Sequence, residues 1–459
     1  MENTRMSHDK TSTRTAHGAF AVGALALAVA VALAAPQAAR ASAFQLNENS
    51  AQAMGRAYAG DGAAPGDPSV VVNNPASMAW FKHSYLQVSA TAIDFSSHFH
   101  GSATDALGQP VSGGDGGNAG GTIPVPALFY LRPINDQWAF GMGVSAPFGF
   151  QTQYNPTWVG RYNAILSDFK SVDATFSVSY KVADNFALGA SLIAQRTSAD
   201  LTSAINFGSI LAAPPFNLAP TFMPQSADGL AQIKGHNWKW GWQIGATWKP
   251  TERDTIAVLY HAKISQTLTG NATFIVPAQV QTVFAAAQLP LFQNTGGSAA
   301  FATPAYVNLS YWHVFNKRFS AGVQANWTQW SSFKNLTVVY ANPAQPPSTE
   351  VFNWHNSHFI SVGGAYHLSD TLTLRAGVGL DTTPTYQLTR DPRVPDATRR
   401  WLTFGVGYRP VDNFEINVGY AHLFVNNARI NNASPTGDLL TGYYNNSADL
   451  LSASATYRF

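Results

Sequence analysis

Downstream of residue 42 the chain is written in twos. Between 371 and 381, Leu372, Leu374, Ala376, Val378 and Leu380 fall on one face of an extended strand, and Thr371, Thr373, Arg375, Gly377, Gly379 and Asp381 on the other. The same alternation recurs at 172–182, 186–194, 402–408 and 414–420. It predicts fourteen strands, near 84–95, 122–132, 137–147, 169–181, 185–200, 231–249, 254–270, 301–315, 318–330, 351–368, 371–383, 398–410, 412–424 and 447–459. Their connections alternate in length. Short turns at Pro133–Asp136, Val182–Asn185, Pro250–Asp254, Asn316–Lys317, Ser369–Asp370 and Val411–Asn413 separate long stretches rich in Gly, Pro and Asn, such as 96–121, 201–230, 271–300 and 425–446. Tight turns at one end and long loops at the other are the plan of an outer-membrane barrel.

Two details favour a bilayer over a soluble sandwich. Trp238, Trp240, Trp242, Ile244, Ala246 and Trp248 share one face. Ten residues at ~3.4 Å, tilted by ~40°, climb roughly 26 Å, which sets tryptophans at both edges of a hydrocarbon layer. The chain also ends on an alternating strand with a terminal aromatic, Ala453-Ser454-Ala455-Thr456-Tyr457-Arg458-Phe459.

Composition then locates the chain in a class. Only 11% of its 459 residues are charged, against about 25% in soluble domains. Yet downstream of residue 42 no apolar run nears 18 residues, so helical spans are excluded there. Arg5, Lys10 and Arg14, the apolar run from Ala19 to Pro36 and the small-x-small site Ala39-Arg40-Ala41 read as a signal peptide over 1–41. Its removal leaves 23 basic and 23 acidic residues, so the charge balance points to no nucleic-acid partner. With no cysteine, neither a disulfide framework nor a thiolate site is available. The fold expected is an all-β membrane protein: a 14-stranded antiparallel transmembrane β-barrel over 83–459, carrying an N-terminal plug over 42–82. That pre-barrel segment does not alternate; it reads as a short helix, Ala51 to Ala59, followed by Gly/Pro turns, and its Phe44, Leu46, Met54, Tyr58, Val70–Val72 and Met78 are too apolar for a solvated leader.

The stretch FQLNENSAQAMGRAYAGDGA followed by NNPA resembles the N-terminal hatch of the FadL family of outer-membrane long-chain fatty-acid transporters. The similarity continues through PINDQWAFGMGVSAPFGF at 133–150, WKWGWQIGATW at 238–248, NWTQWSSF at 326–333 and RAGVGLDTTP at 375–384. The resemblance implies a hatch turning at Asn74, Pro75 and Ala76, and a third strand kinked inward at Ala146, Pro147, Phe148 and Gly149 to open a lateral gap. The residues support the kink independently. Pro147 has no ladder donor, and proline within a barrel strand is expected only at a bulge or break.

The function expected is uptake of long-chain fatty acids by passive, ligand-gated diffusion in the Gram-negative outer membrane, with lateral exit at the kink. Outer loops 216–224 and 276–292 would collect the solute, and hatch movement near Asn74–Ala76 would release it. Inward cations able to meet a carboxylate are Arg375 and Lys239 by parity, with Arg196 and His355 as further candidates; an internal pair of Arg375 with Asp381 or Glu415 is the alternative. The partners are then a hydrophobic small molecule, outer-membrane lipid and lipopolysaccharide, for a monomer without nucleic acid. No cofactor and no metal are expected: His98 and His100 form an H-x-H pair without a third ligand, GGDGG at 113–117 lacks a phosphate-loop lysine, and no G-x-S-x-G or H-E-x-x-H occurs. An enzyme is not expected. Uptake of aromatic or other neutral hydrocarbons by the same fold, a general porin and a structural or adhesive barrel are the competing readings.

Overall fold

A computed structural model describes residues 43–459; the signal-peptide expectation over 1–41 lies outside them. Fourteen antiparallel strands follow in order. The first five are β1 (Tyr85–Thr104), β2 (Gly121–Pro133), β3 (Trp138–Ser145 continued by Gly149–Gln153), β4 (Leu166–Ala183) and β5 (Phe186–Asn206). Next come β6 (Asp228–Trp248), β7 (Asp254–His261 with Ile264–Ile275), β8 (Thr295–Thr303 with Tyr306–Val314) and β9 (Phe319–Thr328 with Asn335–Tyr340). The last five are β10 (Ser348–Val351 with Ser357–His367), β11 (Leu372–Asp381), β12 (Arg399–Val411), β13 (Phe414–Val425 with Ala428–Ala433) and β14 (Leu439–Arg458). Each pairs with its neighbour, and β14 returns to β1 in register from Tyr85↔Arg458 to Thr104↔Leu439. Closure joins the last strand to the first and so removes the outer edges of the sheet.

The barrel is apolar outside and polar within. Trp238, Trp240, Trp242, Ile244 and Trp248 are about half exposed on the outer wall, while Gln243 and Thr247 between them are buried. Gln87, Ser177, Ser191 and Gln195 are likewise buried on inner faces. Low overall charge follows: one side of the wall meets lipid, where charge is costly.

Residues 43–80 pack against inner faces of the strands. They carry α1 (Ala51–Met54), α2 (Val70–Asn73) and a 3-10 turn (Pro75–Trp80). The segment crosses the lumen, with α1 against β12, β13 and β14 and the 3-10 turn against β4, β5 and β6. Irregular backbone must still satisfy its polar groups, and inner-face side chains do so. The Ser177 hydroxyl donates to the Val71 carbonyl (2.7 Å), Gln243 Nε2 to the Val72 carbonyl (3.0 Å), and the Gly62 amide donates to Ser310 Oγ (3.1 Å).

The helix expected over Ala51 to Ala59 stops at Met54. Ala57 and Tyr58 take positive φ (52° and 58°), turning the chain so that its backbone lies flat on the wall. A Cβ at Gly363 would sit 2.1 Å from the Arg56 carbonyl oxygen, and one at Gly377 2.4 Å from its carbon. Inner-face glycines therefore mark where the plug touches.

Candidate functional site in the barrel wall

β3 breaks over Ala146–Phe148 because Pro147 cannot donate to a ladder. Its lower half pairs with β2 from Leu128↔Val144 to Pro133↔Ala139, but its upper half, Gly149–Gln153, pairs only with β4. Residues 121–127 of β2 still pair with β1 and have no partner on the β3 side. The wall is open there.

The plug supplies the missing ladder from inside. The Leu46 amide donates to the Pro147 carbonyl (2.8 Å), and the Gly149 amide to the Phe44 carbonyl (3.0 Å). Phe148 turns inward and is wholly buried; its amide donates to Ser171 Oγ (3.1 Å). Gly149 keeps an ordinary φ, so its role is space: a Cβ would lie 3.3 Å from Leu46 Cδ1. Phe44 anchors the strap, its ring 4.7 Å from Trp330, 5.1 Å from Phe169 and 5.2 Å from Phe150.

An apolar cavity of about 340 Å³ occupies the break. Pro124, Pro126, Val144 and Val172 reach it from the lipid-facing side, and Phe44, Leu46 and Phe148 from within, so it passes through the wall. Its roof is the connection between β11 and β12, residues 382–398, which folds back into the barrel. Arg393, Asp391 and Asp396 on it are buried. Arg393 Nε reaches Glu350 Oε1 (3.3 Å), Arg399 Nη2 reaches Asp396 Oδ1 (2.8 Å), and the Ala43 amide donates to Asp396 Oδ2 (3.1 Å). Roof and strap are thus tied together.

Asn74, Pro75 and Ala76 sit elsewhere, close to the short-turn end. The Asn74 amide group donates to the Ala246 and Val258 carbonyls (3.3 and 3.1 Å), and its Oδ1 accepts from Ala76 N–H (3.1 Å). Gly245 and Gly189 make room: Cβ atoms there would lie 2.2 Å from Asn74 Oδ1 and 2.3 Å from the Ala76 nitrogen.

None of the four cations singled out from sequence lines the cavity. Arg375 is inward and buried, but it donates to Asn417 Oδ1 (2.7 Å) and pairs with Glu415 (3.6 Å); the internal-pair alternative describes it. Arg196 is on the outer face, its guanidinium 5.8 Å from the centre of the Trp238 ring, because even positions of β5 face outward. Lys239 is exposed beside a second irregularity, between β6 and β7. His355 places Nδ1 2.8 Å from the Asn356 carbonyl oxygen and its ring against Tyr386. The charged groups at the cavity are instead Glu48, Asp168, Lys170, Arg393, Asp396 and Arg399. For Arg393, Asp396 and Arg399 the sequence signal is RDPRVPDATRR at 390–400, with six charged residues in a charge-poor chain.

The expected collecting loops do meet. α3 (Phe207–Ala212) and α4 (Ala278–Ala286) stand on the long-loop rim, where Phe207, Phe222, Phe284 and Phe292 share one apolar cluster.

Comparison with known proteins fits this geometry. A crystal structure of a Pseudomonas aeruginosa FadL homologue is 33% identical with a TM-score of 0.87, covering 91% of this chain and 100% of that one. The long-chain fatty acid transport protein of Salmonella typhi is 27% identical over 403 residues, 84% of this chain and 88% of its own length. The Ralstonia pickettii toluene transporter TbuX is 20% identical with a TM-score of 0.65, over 91% and 99% of the two chains, and shares the fold. The model of the outer membrane protein transport protein family (OMPP1/FadL/TodX) matches residues 31–459. The closed barrel, its filled lumen and the broken third strand thus belong to a member of that family, an outer-membrane transporter of hydrophobic compounds and not an enzyme.

Proposed function

We propose that the protein carries long-chain fatty acids inward across the outer membrane by passive diffusion, as a monomer, and releases them sideways through the β2–β3 opening. The observation that carries this reading is the apolar, through-wall cavity closed from inside by Phe44–Leu46. Lipopolysaccharide faces the long-loop end, where the Phe-rich α3–α4 cluster is suited to gather an alkyl chain. The chain then enters the cavity. About 150 Å³ is enough apolar space for benzene, so about 340 Å³ suits a longer ligand.

Magnitudes favour a long chain as the key. Opening breaks two backbone hydrogen bonds at about 0.5–1.5 kcal/mol each. It also draws Phe44 from its aromatic nest, at a cost on the order of the 3–5 kcal/mol seen for core Phe→Ala changes. At ~0.8 kcal/mol per buried methylene, a ligand needs five to ten methylenes to offset that. Short solutes leave the strap shut.

Neutral hydrocarbons are the second reading. Each basic group at the cavity has an acid partner: Arg393 with Glu350, Arg399 with Asp396, Lys170 with Asp168. An uncharged ligand asks nothing of them.

Deleting Asn74–Ala76, or replacing Ala146–Gly149 by an alternating stretch without Pro or Gly, is expected to abolish growth on oleate as sole carbon source while the barrel still assembles. Growth surviving both lesions refutes gated lateral exit. Toluene uptake by the unaltered protein in preference to oleate would select the second reading, and large steady single-channel currents would make it a porin.

A further inference from the structure

Behind the apolar cavity lies a polar one, and four residues line both: Leu46, Glu48, Ser145 and Ala146. The inner chamber measures about 50 Å³, room for a few waters or one small polar group. The plug brings Glu48, Tyr58 and Asp61 to it, and the wall brings Asp173 from β4, His261 from β7 and Asn308 from β8.

Buried polar atoms nearly always have a partner. Here five have no hydrogen-bond partner within the protein: Glu48 Oε2, Tyr58 OH, His261 Nδ1, Asn308 Oδ1 and Asp61 Oδ1, the last with only Arg56 Nη2 at 4.0 Å. Glu48, Tyr58 and His261 are only 6%, 1% and 2% exposed. Other buried polar atoms without a partner, such as Ser89 Oγ and Ser361 Oγ, are scattered over the inner faces; here five gather around one chamber. Orphaned donors and acceptors converging at the inner end of an alkyl-sized cavity are what the head of an amphiphile requires.

The sign of the chamber narrows that head. Three carboxyl groups face it. Arg56 stands 4.0 Å from Asp61 Oδ1, but its Nε and Nη1 donate to the Ala59 and Gln52 carbonyls. Arg399 acts on Glu48 from the cavity side while held by Asp396. His261 and Tyr306, their rings stacked at 4.4 Å, also line it, and Asp381 and Asp67 act on Glu48 and Asp61 from beyond its walls. A carboxylate placed here would meet like charge in a buried site. Burial pushes Glu48 and Asp61 up to about 7, so below neutrality both are uncharged and able to donate.

We propose that this chamber is the head-group subsite of the transport path, and that it takes an uncharged hydrogen-bonding head, an alcohol or an undissociated carboxylic acid, ahead of a carboxylate anion. The assignment rests on the long-chain reading above and narrows its substrate class. It is tested by equilibrium binding of radiolabelled hexadecan-1-ol and hexadecanoic acid to the whole barrel in nanodiscs, at about pH 6 and about pH 8.5.

The acid is expected to bind roughly tenfold more weakly at the higher pH, and the alcohol to change less than about twofold. Glu48→Gln combined with Asp61→Asn is expected to flatten the acid's pH dependence. If that variant fails to fold, the two ligands on the unaltered protein decide alone. Acid binding at the higher pH that equals or exceeds alcohol binding overturns the subsite and leaves fatty-acid transport standing. Binding of neither ligand at either pH overturns both.

Discussion

The barrel ladders are interrupted at β2–β3, β6–β7, β8–β9 and β9–β10, and the first two of these make the clearest contrast. At β2–β3 the gap is apolar on both faces, and the plug fills it with backbone that can withdraw. At β6–β7 the ladder is also lost, between His236↔Thr269 and Gln243↔His261, where seven steps on β6 oppose eight on β7. There the strand satisfies itself: the Trp238 amide donates to Asn237 Oδ1 at 2.8 Å, and Ile264 packs over Gly241. The groove there is mixed in character, with Asn237, Lys239, Ser265, Thr267, Ser332 and Asn335 beside Phe301 and Phe333. Among the described residues no plug hydrogen bond reaches it. A bulge twists a sheet; a portal also needs an apolar throat and an internal partner that can leave.

Perturbations should separate the two, the largest effect first. Phe44→Ala removes the strap's anchor, a loss of about 3–5 kcal/mol. The closed state should give way by a hundredfold or more, read as leakage of a hydrophobic dye into cells carrying a folded barrel; an unchanged dye rate would mean that the strap is not the closure. Arg375→Met removes a buried cation and leaves Asn417 Oδ1 without its donor while Glu415 keeps Arg409, so it should cost about 1–3 kcal/mol in the melting of the barrel. The ratio of acid to alcohol bound should stay put, and a shift in it would bring Arg375 back as a ligand contact. Gly245→Val forces a Cβ onto Asn74 Oδ1, an overpacking cost of about 1–3 kcal/mol. Oleate uptake should fall with it, as seen in labelled-substrate accumulation. Asn237→Ala at the second interruption should lower stability by only about 1 kcal/mol and leave uptake unaltered. Impaired uptake there would make β6–β7 a second route and dissolve the contrast.

Much of this was legible in the chain because a barrel strand encodes its two faces locally. Strand 371–383 was expected and Leu372–Asp381 is observed; 231–249 was expected and Asp228–Trp248 is observed. Pro147 announced a break by its missing N–H alone. Parity also set Arg375 inward, since neighbours two apart share a face. It could not tell that Glu415 and Asn417 wait across the sheet, because register between distant strands is not a local property. Lys239 shows the same limit by lying beside a bulge, whereas Arg196 already shares the outward, even face of Leu188 and Leu192 in the sequence. The roof at 382–398 reads as one more outer loop until its arginines find acids inside the barrel.

The sequence by itself determined the wall: fourteen alternating segments, their order, the short and long ends and the point where the third strand must fail. Period two and the chemistry of proline act over a few residues and need no partner. Only the tertiary structure decided what fills the wall. That Phe44–Leu46 replaces β2 at the break, that 382–398 roofs the cavity and that Glu48 stands between an apolar and a polar space depend on residues hundreds of positions apart. Closure of the barrel brings them together, and burial then fixes which charges are paired and which polar atoms are left to a ligand.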